Sequence, residues 1–164
     1  MKKIILIGFA TSGKSSVGRL LAERLNANFV DTDDEIERQC GMTIEQIFCT
    51  QGENFFRQKE NELLSSLVDT PNLVVACGGG SVLAASFPSF AAHCKVIWLT
   101  VTASTVKRRL GNVPRPLFDG LDESGLAALI EARAPLYQQN ADVTVATDDL
   151  TVAQVVTEIF SRSN

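Results

Sequence analysis

The sequence has few of the features that mark membrane, secreted or nucleic-acid-binding proteins. No apolar run approaches the roughly 20 residues that a helix needs to cross a bilayer, so we expect no membrane partner. The net charge is −4 and there is no basic tail or long basic stripe, which argues against nucleic acid as a partner. Internal repeats and low-complexity segments are also missing. A single globular domain over residues 1–164 is therefore expected.

Cysteine is scarce and irregularly spaced. Cys40, Cys49, Cys77 and Cys94 show no C-x-x-C pattern, so we expect free thiols rather than a zinc site or a disulfide framework. Free thiols are typical of the cytoplasm, which is the predicted location. The first residues, Met-Lys-Lys, are similar to the start of a signal peptide. The apolar run that follows them ends at Gly8, however, so no targeting segment is predicted.

The strongest motif lies near the N-terminus, where the pattern is strand, loop and helix. Residues 3–7, apolar apart from Lys3, precede a loop that matches G-x-x-x-x-G-K-[ST], and residues 17–25 then repeat apolar side chains at helical spacing. In such a loop, backbone N–H groups and the positive end of the helix dipole cradle a phosphate. The nucleotide-binding residues predicted on this basis are Thr11, Ser12, Gly13, Lys14, Ser15 and Ser16.

Individual residues of this loop have predicted roles of their own. Lys14 would reach the β- and γ-phosphates of the nucleotide, and the Ser15 hydroxyl would bind Mg²⁺. Gly8 and Gly13 suit positions where a side chain would crowd the phosphates or the backbone needs unusual dihedral angles.

The rest of the chain alternates apolar runs with helical patterns. Further strands are predicted at 28–31, 72–76, 95–100 and 142–146, and a helix that Pro88 breaks or kinks is predicted at 81–92. Every segment between two strands is long enough for a right-handed crossover. The sequence therefore predicts an α/β protein, a three-layer α/β/α fold with a five-stranded, mainly parallel sheet.

Two segments depart from the alternation of strands and helices. Helical patterns fill residues 33–69, a group too small to have a core of its own, and we interpret it as a substrate-binding lobe. Residues 111–120 are rich in turn formers and hold Arg115 between two prolines. That composition suits a mobile lid.

Two carboxylates follow the second predicted strand. Asp31 and Asp33 are two residues apart, so they share a face of an extended chain. One could hold a Mg²⁺-bound water, while the other could accept a hydrogen bond from a substrate hydroxyl. The alternative is ordinary turn and helix-cap chemistry.

Two arginines and a glycine run complete the set of candidates. Arg57 has Glu60 three residues further along a predicted helix, which could hold its guanidinium in place. Arg133 lies far away in sequence. Both arginines could lie on solvated faces, but if they converged they would form a fork for a carboxylate. The run Gly78-Gly79-Gly80 after the third strand suits either a tight turn or a close approach of ligand and backbone.

In the order and spacing of its motifs, the chain resembles the shikimate kinases, a family of P-loop small-molecule kinases related to the nucleoside monophosphate kinases. The resemblance covers nearly the full length. It rests on Gly13-Lys14-Ser15, Asp31-Thr32-Asp33, Phe56-Arg57 with Glu60, Gly78-Gly79-Gly80, Arg115-Pro116-Leu117 and Arg133-Ala134-Pro135-Leu136-Tyr137. It implies Mg²⁺-dependent transfer of the ATP γ-phosphoryl group to the 3-hydroxyl of shikimate, in the pathway to aromatic amino acids. From its size we expect a monomer.

For the acceptor, the resemblance implies that Asp33 binds ring hydroxyls and acts as a base. Arg57 and Arg133 would hold the shikimate carboxylate, with Glu60 behind Arg57 and glycines 78–80 lining the same pocket.

For the nucleotide, the resemblance implies that Arg115 descends on the phosphates when the lid closes and that Arg109 packs against adenine. Ser15 would ligate Mg²⁺ directly and Asp31 would do so through water.

Three positions depart from the family pattern. Thr11 stands where the family often has glycine, Cys77 where a small hydroxyl residue is common, and Leu150 where some relatives carry a polar residue near adenine. Two alternatives stay open. One is a related kinase of gluconate or nucleoside monophosphates, and the other is a nucleotide-binding regulatory protein without turnover. The intact Lys14 and Asp33 argue against the second alternative.

Overall fold

The structure, a computed structural model, describes residues 3–111, 118 and 120–163. Its centre is a sheet of five strands, which are β1 (Lys3–Ile7), β2 (Asn28–Asp31), β3 (Leu73–Ala76), β4 (Cys94–Thr100) and β5 (Val143–Ala146). The spatial order is β2-β3-β1-β4-β5, and all neighbouring strands are parallel. The predicted parallel sheet is confirmed, because each crossover returns the chain to the same end of the sheet.

Helices cover both faces of this sheet. They are α1 (Lys14–Leu25), α2 (Thr32–Cys40), α3 (Ile44–Thr50), α4 (Glu53–Ser66), α5 (Phe87–Ala91), α6 (Ala103–Leu110), α7 (Glu123–Asn140) and α8 (Val152–Arg162). Neighbouring residues of β1 point to opposite faces, as the pleat requires. Leu6 packs in a cluster with side chains of α1 and α8, and Ile5 packs in a second cluster with side chains of α4, α5 and α7. These two clusters are the two interfaces of the predicted three-layer fold.

The predicted break in the helical segment 81–92 is present, but it lies before Pro88 and not at it. A short 3₁₀ turn spans Ser81–Leu83, and α5 then starts as a separate helix with Pro88 in its first turn. Proline is favoured there because the amide hydrogen that it lacks would have no partner inside the helix. Pro88 therefore begins a helix instead of kinking one.

Helices α2, α3 and α4 share an apolar cluster separate from those that cover the sheet. Its buried members are Ile36, Ile47, Phe56 and Leu63. We expected this group of helices to be too small for a core of its own, but the structure shows that it has one. The sequence signal was present, since each of these residues lies on the apolar face of its helix.

Two compositional expectations can be compared with the coordinates. Cys40, Cys49, Cys77 and Cys94 are all free, as their spacing predicted. Within the described ranges, no helix combines the length and the apolar character that a bilayer span would need. The predicted lid at 111–120 lies mostly outside the described residues.

The loop after β5 is tied to the start of α6 by one carboxylate. Asp148 Oδ1 accepts hydrogen bonds from the backbone N–H of Thr102 at 2.9 Å and from its hydroxyl at 2.8 Å. Burial raises the pKa of Asp148, but the hydrogen bonds from Thr102 and Thr105 outweigh this effect, so the pKa lies below its usual range. The ionised carboxylate therefore stabilises the folded state.

We expect Asp148→Ala to lower the free energy of unfolding by about 1–2 kcal/mol at neutral pH, because Thr102 loses its acceptor. A group whose pKa is depressed on folding stabilises above its unfolded-state pKa, and this stabilisation is lost as pH falls through the folded-state pKa. The gap between wild type and variant should therefore shrink below about pH 4. Urea unfolding at several pH values measures both effects.

Asp149→Ala is the matched control, because the neighbouring Asp149 is exposed. It should stay within about 0.5 kcal/mol of the wild type. Equal losses for the two variants at neutral pH would contradict the role of Asp148.

Candidate active site

The loop between β1 and α1 folds around the ammonium group of Lys14. Nζ donates to the carbonyl oxygens of Gly8 and Phe9 at 2.8 Å each, and to Ser12 Oγ at 3.4 Å. The residue is 9% exposed and begins α1, as the sequence predicted. Its positive charge therefore lies inside the loop, at the carboxyl edge of the sheet.

The backbone of this loop has positive φ angles at Gly8, Thr11 and Gly13. Gly13, which precedes α1, has φ 93°, and no side chain caps the helix there. Thr11 has φ 63°, which is uncommon for a β-branched residue, and its carbonyl accepts from Arg109 Nη1 at 2.8 Å. The backbone amide of Ser12, one of the groups predicted to donate a hydrogen bond to a phosphate, instead donates to the Phe9 carbonyl at 3.3 Å.

Asp31 connects the loop to α2. Its Oδ1 accepts from the backbone N–H groups of Asp33 and Asp34 at 3.0 and 3.1 Å, so the helix-cap alternative holds for this oxygen. Its Oδ2 accepts a hydrogen bond from the Ser15 hydroxyl. Asp31 therefore caps a helix with one oxygen and faces the phosphate loop with the other.

Ser15 and Asp31 form a donor set that fits Mg²⁺. Both supply hard oxygen atoms at the wall of the same cavity, and Mg²⁺ usually takes one or two protein oxygens together with water and phosphate. The described residues hold no group of three or more histidine, cysteine, aspartate or glutamate side chains suited to a metal. An all-protein metal cage is thus absent from that part of the chain.

A cavity of about 470 Å³ extends from the phosphate loop past Asp31, Asp33 and Gly78. At its other end it reaches Arg109, Thr147 and Leu150. Arg109 donates to the Thr147 carbonyl at 3.1 Å and, as described above, to the Thr11 carbonyl, so it bridges the two ends of the cavity. Sequence reasoning missed Thr147. Its position one residue after β5 puts it at the edge where ligands bind, which was the available signal.

A second cavity adjoins the first and contains the two arginines. Arg57 and Arg133, which are far apart in sequence, both line it together with Asp33, Glu60 and glycines 78–80. The remaining wall is apolar and consists of Ala10, Ile44, Phe48, Phe56 and Phe118. The two cavities share Ala10, Asp33, Gly78 and Gly79. The arrangement can therefore hold an anion with two guanidinium groups next to a phosphate-binding loop.

Sequence reasoning missed the apolar part of this wall. Ile44 and Phe48 are four residues apart on α3, which is the spacing of an ordinary core-facing stripe, and Phe118 lies in the predicted lid. Nothing in that spacing distinguishes a pocket wall from a core.

The Arg57 guanidinium is fixed by carboxylates. Nη1 lies 2.9 Å from Glu60 Oε1, and Nη2 lies 3.5 Å from Glu53 Oε1. Glu60 is 1% exposed, and its other oxygen accepts from the Ser81 hydroxyl at 2.8 Å. The predicted pairing of Arg57 with Glu60 is present, and the buried carboxylate has partners for both oxygens.

The three glycines after β3 leave room for three polar side chains. A β carbon at Gly78 would lie 2.6 Å from Asp33 Oδ1, and one at Gly79 would lie 3.3 Å from Arg133 Nη1. At Gly80 it would overlap the Arg57 guanidinium. The glycines are therefore required by close approach rather than by a left-handed turn.

Two further sequence predictions concern Cys77 and Arg115. Cys77 is 1% exposed, and burial raises the pKa of its thiol, so it stays protonated and unsuited to a metal. Arg115, predicted to be catalytic and to bind the nucleotide, lies outside the described residues.

The chain is similar to known proteins over nearly its whole length. The family model for shikimate kinase matches residues 10–164. The shikimate kinase of Symbiobacterium thermophilum is 42% identical over 164 residues, covering 97% of this chain and 94% of that protein. The shikimate kinase of Moorella thermoacetica is 40% identical over 158 residues, covering 95% and 91%. The chain belongs to the shikimate kinase family.

A solved structure agrees with this assignment. The shikimate kinase from Acinetobacter baumannii in complex with shikimate has a TM-score of 0.92 at 34% identity, covering 98% of this chain and 92% of that one. The predicted family, the P-loop kinase fold, shikimate kinase function and the ATP-dependent phosphotransferase class are confirmed. The roles of single residues stay predictions.

We expect Gly80→Ala to raise the KM for the acceptor about tenfold or more, because the new methyl group must displace the Arg57 guanidinium. The backbone angles of Gly80, φ −98° and ψ 0°, need no glycine, so the fold should be kept. Steady-state kinetics with each substrate varied in turn measures the effect, and the KM for ATP should stay within about twofold.

Gly79→Ala is the matched comparison, since its β carbon would only approach Arg133 at 3.3 Å. Its effect on the acceptor KM should be smaller than that of Gly80→Ala. The reverse order would contradict this account of the glycine loop.

Proposed function

We propose that the chain transfers the γ-phosphoryl group of ATP to the 3-hydroxyl of shikimate, giving shikimate 3-phosphate and ADP. One observation carries this proposal: the phosphate-loop cavity and the two-arginine cavity adjoin and share Asp33. Shikimate is a small ring with one carboxylate and several hydroxyl groups. Its carboxylate suits Arg57 and Arg133, and its hydroxyl groups suit Asp33.

On the acceptor side, each group has a distinct task. Arg57 and Arg133 bind the carboxylate from two helices, and Glu60 keeps the Arg57 guanidinium oriented before the substrate arrives. Phe48 and Phe56 cover the apolar part of the ring. Residues 33–69 act as the substrate-binding lobe that carries most of these contacts.

Asp33 is the candidate acceptor for the proton of the attacking hydroxyl. Its carboxylate lies against Gly78 and borders both cavities, so it can accept a hydrogen bond from the attacking hydroxyl while that hydroxyl faces the phosphates. In phosphoryl transfer, positioning and charge stabilisation contribute more than covalent help. Asp33 therefore orients the hydroxyl and takes its proton as the new bond forms.

On the nucleotide side, Lys14 and the lid residue Arg115 supply positive charge where the transition state gathers negative charge. Ser15 would hold Mg²⁺ directly and Asp31 through water, and the bound ion would neutralise charge on the phosphate oxygens. Arg109 packs against the adenine. The lid over 111–120 excludes water, which would otherwise compete with the hydroxyl as acceptor. The chain acts as a cytoplasmic monomer.

ADP release tests the proposal. With ATP and Mg²⁺, shikimate should stimulate release strongly, and gluconate, nucleoside monophosphates or no acceptor should not. Lys14→Met should remove turnover while the far-UV circular dichroism stays that of the wild type, because the loop loses its cation but keeps its backbone. Stimulation by gluconate or a nucleoside monophosphate instead of shikimate would refute the proposed acceptor. Near-normal kcat in Lys14→Met would refute the phosphate role.

We expect Arg57→Ala to raise the KM for shikimate by about tenfold to a hundredfold, since one charge-assisted pair to the carboxylate contributes about 1.5–3 kcal/mol. The KM for ATP should change little, because Arg57 lines only the second cavity. Initial-rate kinetics with each substrate varied measures the split.

Lys59→Ala is the matched control for this variant. Lys59 lies on the same helix and forms the same kind of i, i+3 pair with Glu62, but it does not line either cavity. It should leave both KM values near the wild type. Equal increases for shikimate and ATP in Arg57→Ala would argue against a carboxylate contact.

A further inference from the structure

We infer that Tyr137 is a positioning residue for the acceptor site, holding Arg133 and the backbone of Gly79 in place for the substrate carboxylate. The inference rests on the proposed function, because it assigns a supporting partner to one of the two acceptor arginines. Tyr137 lines neither of the two cavities. Its effect must therefore pass through its neighbours.

The hydroxyl of Tyr137 reaches the glycine loop. It donates a hydrogen bond to the Gly79 carbonyl at 2.5 Å, although the residue is only 2% exposed. Arg133 lies four residues earlier on α7, hence on the same side of the helix and one turn away. Its Nη1 lies next to Gly79, at 3.3 Å from the place of a β carbon. Tyr137, Arg133 and Gly79 thus form one local group.

The Tyr137 hydroxyl can interact with both Gly79 and Arg133. Burial raises the pKa of Tyr137, whereas hydrogen bonding and charge from Arg133 act against that rise. The phenol is therefore protonated at neutral pH. Its single O–H donates to Gly79, which leaves the oxygen lone pairs able to accept from the Arg133 guanidinium.

The two acceptor arginines are supported in different ways. Arg57 is paired with the carboxylates of Glu53 and Glu60. Arg133 forms no ion pair with any residue that the structure describes, and its neighbour is a neutral phenol. A neutral partner orients the guanidinium without compensating its charge. The Arg133 guanidinium is therefore left to pair with an anion that enters the cavity.

The ring of Tyr137 is buried in the apolar core. It belongs to the cluster that covers one face of the sheet, together with Ile5 and Ile7 of β1. Trp98 of β4 packs against it with ring centroids 5.8 Å apart. Since side chains in such a core are close-packed, the hydroxyl has a fixed position. The sheet thus sets the place of Arg133 through one side chain.

Tyr137→Phe tests the inference, because it keeps the ring and removes the hydroxyl. We expect the KM for shikimate to rise about tenfold, while kcat and the KM for ATP stay within about twofold. Asn140→Ala is the control, since it removes a 2.7 Å hydrogen bond to the Leu136 carbonyl on the same helix outside both cavities. It should leave the shikimate KM unchanged. A normal shikimate KM in Tyr137→Phe, or equal increases for both substrates, would overturn the inference.

A double-mutant cycle with Arg133→Ala separates positioning from general destabilisation. If Tyr137 acts through Arg133, then Tyr137→Phe should add little to the shikimate KM of Arg133→Ala. If the fold-change in the shikimate KM of the double variant equals the product of the two single-variant fold-changes, the residues act independently. That result would also overturn the inference.

A spectroscopic measurement covers the case in which Tyr137→Phe does not fold. The sequence has one tyrosine, so biosynthetic incorporation of 3-fluorotyrosine gives a single ¹⁹F resonance. Shikimate should shift this resonance, and ADP alone should leave it in place. An unmoved resonance at saturating shikimate would overturn the inference. Turnover of the wild-type enzyme distinguishes the failure of this inference from the failure of the proposed function. If the enzyme phosphorylates shikimate but shikimate does not shift the Tyr137 resonance, only the positioning role is refuted.

Discussion

Parallel pairing of β1, β2 and β3 makes the loops that follow these strands leave the sheet at the same edge. The register sets Asp31 beside Ala76 and Ala76 beside Leu6, so the three strands end almost level. The phosphate loop, the aspartates and the glycine run therefore meet, although long segments of sequence separate them. Without this pairing, the three segments that line the candidate site would not come together.

The site then has to hold several positive charges close together, and each is supported in a different way. Lys14 is surrounded by carbonyl oxygens of its own loop. Arg57 is paired with the buried Glu60, and Arg133 lies beside the neutral phenol of Tyr137. A buried carboxylate is costly unless its oxygens are paired, which Ser81 and Arg57 achieve for Glu60. The fold thereby positions these cations at the walls of the two adjoining cavities.

Local patterns were enough to predict much of this arrangement. The five strands and the helix start at Lys14 were predicted because burial and loop chemistry leave signals within a few residues. The convergence of Arg57 and Arg133 could not be derived that way, since it depends on how α4 and α7 pack around the sheet. Family resemblance supplied it instead. The break in residues 81–92 was predicted, but its place was not, because proline is compatible both with the end of a helix and with a first helical turn.

The apolar cavity walls could not be predicted from the sequence. An apolar pair such as Ile44 and Phe48 has the same spacing whether it faces a core or a ligand.

The boundary between the two cavities consists of Ala10, Gly78 and Gly79 beside Asp33. Reacting atoms must approach to within about 3–3.5 Å for transfer, so large side chains there would hold the hydroxyl away from the phosphate. Small residues at this boundary leave space for the Asp33 carboxylate. Under the proposed function, they would also let the two substrates, each bound in its own cavity, meet.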